Sequence, residues 1–185
     1  PLLPDYDFGD AFFPRESEGQ LRARQIDAVV FTQYRIGANT STSFGMMYRF
    51  RNIFEPEMGD EVRLSQQFNV ALRPSALRIG HRVRSEQRLF SGQTIHRFRY
   101  RLALDGPLQG EQSDVGEAYW VGSVEPLLSA GRGMAPEYDF RLTAWIGYRI
   151  NETQKLQMGP EFRWENFFKN LERVLFFQAS WVVSL

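Results

Sequence analysis

Arginine and glutamate recur at alternate positions in two neighbouring runs: Arg82, Arg84, Glu86 and Arg88, then Arg97, Arg99 and Arg101. Guanidinium groups form flat, bidentate pairs with carboxylates and tolerate burial better than ammonium groups do. This spacing supports two chemistries, a carboxylate ladder or the attraction of an anion. Lys155 and Lys169 are the only lysines among 22 basic residues, and 22 acids bring the formal net charge to zero. A GC-rich genome explains arginine in place of lysine, but not its recurrence at i, i+2 and i+4. Catalytic candidates are few. The chain has two histidines, His81 and His96, and no cysteine. It therefore has no disulfide framework, thiol nucleophile or zinc ribbon. No HExxH, GxSxG, P-loop or EF-hand pattern occurs. Asp5, Asp7 and Asp10 have the oxygens for calcium but a weak spacing, so ordinary polar packing is expected there, with no metal and no cofactor. Gly131-Arg132-Gly133 reads as a loop tip, because no helix follows to make a phosphate cradle.

The elements that must carry these residues alternate with a period of two, the signature of strands. In His96–Asp105, Phe98, Tyr100, Leu102 and Leu104 oppose Arg97, Arg99, Arg101 and Asp105. The same pattern runs through Gln25–Ile36, Ser43–Arg51, Val62–Arg73, Ala76–Leu89, Val115–Leu127, Asp139–Ile150, Gln154–Trp164 and Leu171–Leu185. On the apolar face stand Phe, Tyr, Trp, Leu and Val. On the other stand Arg63, Arg73, Arg78, Arg82, Arg84, Glu86, Arg88, Arg97, Arg99, Arg101, Glu125, Arg141, Arg149, Glu161 and Arg163. A polar face rich in Arg and Glu but nearly free of Lys reads as an enclosed interior rather than a solvated surface. The 185 residues suit one domain. Mean hydropathy is −0.39, and no apolar run is long enough for a helical membrane span. Alternation hides a strand-built span from such measures. The expected fold is all-β: a closed antiparallel transmembrane β-barrel of about ten strands, with eight or twelve as alternatives.

Connections are expected to alternate in length. Gly37–Thr40, Arg73–Ala76 and Asn151–Thr153 read as tight turns. Asn52–Asp60, Ser129–Glu137 and Glu165–Asn170 read as longer loops, and the connection Leu104–Asp114 breaks the rule. Aromatics near strand ends suggest interfacial girdles, chiefly Tyr34, Tyr48, Trp120, Tyr148, Trp164 and Trp181. Nine strands ending in the periplasm leave one crossing missing, which Asp5–Phe13 can supply with Tyr6, Phe8 and Phe12 outward. Residues 1–19 thus form an N-terminal arm or first strand, and residues 20–185 the barrel. Alternatively, residues 1–19 lie in the lumen or dock on a partner. The chain begins without Met or a signal peptide, as a processed export substrate would.

The run from Glu61 to Leu102 resembles a known family. Glu61-Val62-Arg63-Leu64-Ser65-Gln66-Gln67, His81-Arg82-Val83-Arg84-Ser85-Glu86-Gln87-Arg88 and Arg97-Phe98-Arg99-Tyr100-Arg101-Leu102 carry the resemblance. They resemble the core of an uncharacterised outer-membrane family designated domain of unknown function 2490, common in Bacteroidota. Glu125 and the Arg141…Gly147-Tyr148 segment sit where that family tends to carry a Glu and an Arg-plus-Gly-Tyr strand. The resemblance spans roughly residues 20–185 and implies an outer-membrane β-barrel with no assigned activity.

The leading expectation is a non-enzymatic barrel of the Gram-negative outer membrane. It would be structural or a subunit of a larger envelope complex, its lumen filled by the Arg/Glu network. Its partners would be outer-membrane lipid or lipopolysaccharide, and other envelope proteins through the N-terminal arm. Balanced charge gives no pull toward nucleic acid. The alternative is a small anion-selective, porin-like pore. An outer-membrane hydrolase would need His81 or His96 in a cleft, whereas parity puts both outward. A soluble lipocalin-like binder would need the apolar face to line a cavity.

Overall fold

A computed structural model of the chain describes residues 26–53 and 59–183. These form one antiparallel sheet of nine strands in sequential order, β1 to β9. The strands are β1 Ile26–Arg35, β2 Thr40–Phe50, β3 Glu61–Leu72, β4 Arg78–Phe90, β5 Gln93–Pro107, β6 Ala118–Gly131, β7 Met134–Arg149, β8 Gln154–Glu165 and β9 Glu172–Val183. Each pairs with its sequence neighbour, as expected when period-two segments are joined by short connections. The sheet curls into a half-barrel. Arg84 on β4 lies over the Phe31 ring on β1 at 5.5 Å. Residues of β3 and β9 line one common cavity. Among the described residues β1 and β9 do not pair, so the sheet stays open between them. The expected strand Asp5–Phe13, the arm at residues 1–19 and Asp10 lie outside the described residues.

Burial is inverted. Among the described residues, four apolar side chains are buried: Met47, Tyr119, Leu127 and Val182. The buried polar and charged side chains outnumber them fourfold and include Glu61, Arg63, Arg84, Glu86, Arg99 and Glu125. On the convex face the apolar side chains are open, with Val30 71% and Phe177 63% exposed. Two inward glycines let rings lie flat against the sheet. A Cβ on Gly147 would stand 2.2 Å from the Tyr119 ring, and one on Gly45 2.3 Å from the Phe31 ring. Two prolines interrupt ladders in interior strands. Pairing between β5 and β6 lapses beside Pro126, and that between β7 and β8 beside Pro160, where the missing N–H removes a donor. Each lapse adjoins an inward glutamate, Glu125 or Glu161.

The connections correct the expected length rule. The lower rim carries residues 36–39, 73–77, 108–117 and 150–153; the upper rim carries 51–60, 91–92, 132–133 and 166–171. Each rim thus has one ten-residue connection. Ser129–Glu137, expected as a longer loop, is instead a hairpin tip that turns on Arg132-Gly133 alone. The Ser91-Gly92 turn is equally tight. Gly92 and Gly133 adopt φ of 86° and 72°, a region open to Gly at no steric cost, which permits both two-residue turns.

Candidate functional site

The residues of the expected polar network lie on the inner face, Arg73 apart. Register sets its contacts: Arg82 opposes Arg101, Arg84 opposes Arg99, and Glu86 opposes Arg97. The two adjacent Arg–Arg pairs would repel one another were carboxylates not inserted beside them. Glu61 accepts from Arg63 Nε and Nη2 at 3.1 and 3.0 Å. Arg88 closes a bidentate pair on the same carboxylate, Nε to Oε1 at 2.6 Å and Nη2 to Oε2 at 3.0 Å. Glu86 accepts from Arg99 Nη1 at 3.2 Å and from Arg84 Nη1 at 3.5 Å. Glu125 takes Arg99 Nε at 2.8 Å on one oxygen and Arg101 Nε at 2.5 Å on the other. Glu161 takes Arg163 Nε at 2.5 Å, and the Arg163 guanidinium stacks over Phe176 at 4.2 Å. Glu61 and Glu86 are 0% and 1% exposed. Charges so deeply buried persist only when paired and hydrogen-bonded.

Neutral groups complete the array. Arg84 Nε donates to Gln67 Oε1 at 2.8 Å, Arg82 Nε to Asn69 Oδ1 at 3.1 Å, and Arg97 Nε to Ser129 Oγ at 3.0 Å. Asp27 receives a bidentate pair from Arg49 at 2.8 and 2.6 Å. Arg78 Nε donates to Asp105 at 2.7 Å. Arg149 donates to the Ser113 carbonyl at 2.8 Å and pairs with Glu152. Arg141 lies on β7 opposite Glu125 and Arg163. Sequence reasoning left Glu61, Gln67, Asn69 and Ser129 out of the network. The parity signal for Glu61 was available, since it opposes Val62. Arg73, expected on the inward face of a strand, falls beyond the end of β3 in an exposed turn.

Outside the strands, Asp60 ties the end of β2. Its carboxyl is held below the usual range, first by the backbone N–H of Arg51, then by that of Asn52, with the Tyr48 hydroxyl adding to them. The expected girdle aromatics all occupy the convex face. Tyr34, Trp120, Tyr148 and Trp181 lie toward the lower rim, Tyr48 and Trp164 toward the upper.

The lower half of the interior is built differently. Ala71, Gly80, Ala103 and Ser123 form a row of small inner residues across β3, β4, β5 and β6. Beside it opens a cavity of about 230 Å³, whose wall includes Trp145, Lys155 and Ser180. Tyr119 and Gln157 also line it, with Gln157 Nε2 donating to the Tyr119 hydroxyl at 2.8 Å. His81 and His96 lie on the convex face. His81 Nδ1 is 2.8 Å from the Tyr100 hydroxyl, and neither histidine has a serine or carboxylate partner among the described residues.

No curated protein and no solved structure matches the chain. The family model described as "Protein of unknown function (DUF2490)" matches residues 7–176, and the chain therefore belongs to that family.

Proposed function

We propose that this protein is a non-enzymatic integral β-barrel of the bacterial outer membrane, structural or a subunit of a larger envelope assembly. The observation that carries the reading is the inverted burial. A convex band of Val30, Phe44, Leu64, Phe68, Phe98 and Phe177 is open on the outside, while Arg and Glu are buried within. An apolar face that broad is costly in water and suits hydrocarbon. Aromatics toward both rims fit the two interfaces. Lipid also demands that every backbone group be paired, so the β1 and β9 edges must be joined; the expected strand Asp5–Phe13 would do this.

Stepwise extraction of membranes tests the reading. The protein is expected to stay through salt and carbonate washes and to leave only with detergent. Release by salt alone would overturn the membrane placement. The filled upper half of the interior further predicts electrical silence in planar bilayers. Stepwise, anion-selective conductance would replace the structural role with that of a pore.

A further inference from the structure

Among the described residues, the lower cavity is lined by more basic than acidic side chains. Arg73, Arg78, Arg82, Arg101 and Lys155 line it, against a single carboxylate, Asp105. Arg78 takes Asp105 at 2.7 Å, and Arg101 is turned to Glu125 at 2.5 Å. The Lys155 ammonium makes no hydrogen bond or ion pair among the described residues. Its ladder neighbours are Arg149 on β7 and Val182 on β9. The charged groups that face it are Arg149, Arg78 and Arg73, with Asp105 the one acid. Arg73, at the mouth of the cavity, also makes no ion pair among the described residues.

A second observation does not depend on charge. Trp145 lines the same cavity, and its buried indole Nε1–H has no acceptor among the described residues. Native proteins leave few buried donors in that state. The wall therefore offers two donors that no described residue satisfies, the Lys155 ammonium and the Trp145 N–H. A ligand that satisfies it must be an acceptor, negative and small, since about 230 Å³ falls below the pockets of drug-sized ligands, roughly 300 Å³ and up. Glu125, 3% exposed, is engaged by Arg99 and Arg101 and does not line the cavity.

We propose that this cavity binds a small oxyanion of the phosphate or sulfate class. The Lys155 ammonium and the Trp145 N–H hold it, and Arg73 admits it at the rim. The site is set by the inner face alone, so it stands or falls separately from what covers the convex face. Lysine suits this task where arginine serves the ladder: a compact ammonium with three rotatable donors grips an oxyanion without needing a flat partner.

Calorimetric titration of the purified full chain with inorganic phosphate tests the site, with sodium chloride at matched ionic strength as reference. Saturable phosphate binding is expected, displaced by sulfate. Lys155→Gln should weaken it roughly tenfold or more, about the worth of one charge-assisted hydrogen bond, and Lys155→Arg should restore part of the loss. Lys169→Gln, in the connection between β8 and β9, should bind as the unaltered chain does. If Lys155→Gln does not fold, Arg73→Gln decides. That exposed turn residue makes no ladder pair, and its loss should weaken binding roughly threefold, as expected for one solvent-screened charge. Phosphate heats equal to those of chloride, or equal affinity in the unaltered chain, Lys155→Gln and Arg73→Gln, would overturn the proposal.

Discussion

The upper and lower halves of the interior are made of the same strands yet solve the burial of charge in opposite ways. In the upper half long side chains face one another across the register, as in Gln67, Arg84 and Arg99, and buried glutamates accept from the guanidinium groups. In the lower half the facing residues are small, Ala71, Gly80 and Ala103, and a cavity opens beside an ammonium with no ion pair among the described residues. The difference lies in which residue types meet across adjacent strands. Long acids meeting long bases make a filled, self-neutralising interior, whereas small residues meeting one another leave room that polar side chains line but do not fill.

The comparison can be broken most sharply at Glu61. Glu61→Ala leaves Arg63 and Arg88 without their shared carboxylate, and breaking such a buried pair costs ~3–5 kcal/mol. Urea unfolding in detergent should record that loss, with Glu86→Ala smaller because its carboxylate accepts at longer range. If both variants melt like the parent, the upper half is not a mutually dependent ladder.

The next effect belongs to the lower half. Gly147→Ala drives a methyl into the Tyr119 ring, and such overpacking costs about 1–3 kcal/mol. Truncating the ring in the double variant with Tyr119→Ala should recover most of the penalty. Additive losses in that cycle would show that the ring and glycine are not coupled.

A smaller effect is expected at Asp60. Its carboxyl sits below the ordinary 3.8 when folded. Its contribution is therefore fully present above the unfolded value and is lost as pH falls through the folded one. Melting temperature measured against pH should fall more steeply on the acid side in the parent than in Asp60→Asn. Parallel curves would remove the turn tie from the account.

The smallest effect is expected at Lys155. No ion pair is broken by Lys155→Gln, so stability should stay within about 0.5 kcal/mol of the parent. A loss comparable to that of Glu61→Ala would mean that the lower half is as interlocked as the upper.

Much of the architecture was legible because strand alternation has a period of two and one face is strongly polar. Parity alone put Arg84, Glu86 and Arg99 on one face and His81 and His96 on the other. Turn chemistry was harder to read. Gly131, Gly133 and Pro136 suggested a loop at Ser129–Glu137, yet strand pairing continues through most of that segment and the turn takes only two residues. Glu61 escaped notice because it borders the long connection after β2. Its importance comes from Arg88, 27 positions away and one strand across.

The sequence by itself determined which side chains share a face, because alternation is a local property of extended backbone. It also determined that arginine, with Lys155 as an exception, would supply the basic side chains of the inner face. Only the tertiary structure decided which of those side chains meet. Register sets neighbours across strands, and no local pattern encodes it. That step turned a list of arginines into pairs centred on Glu61, Glu86 and Glu125. It also brought Ala71, Gly80 and Ala103 into one row, on the wall of a cavity that Lys155 of β8 also lines.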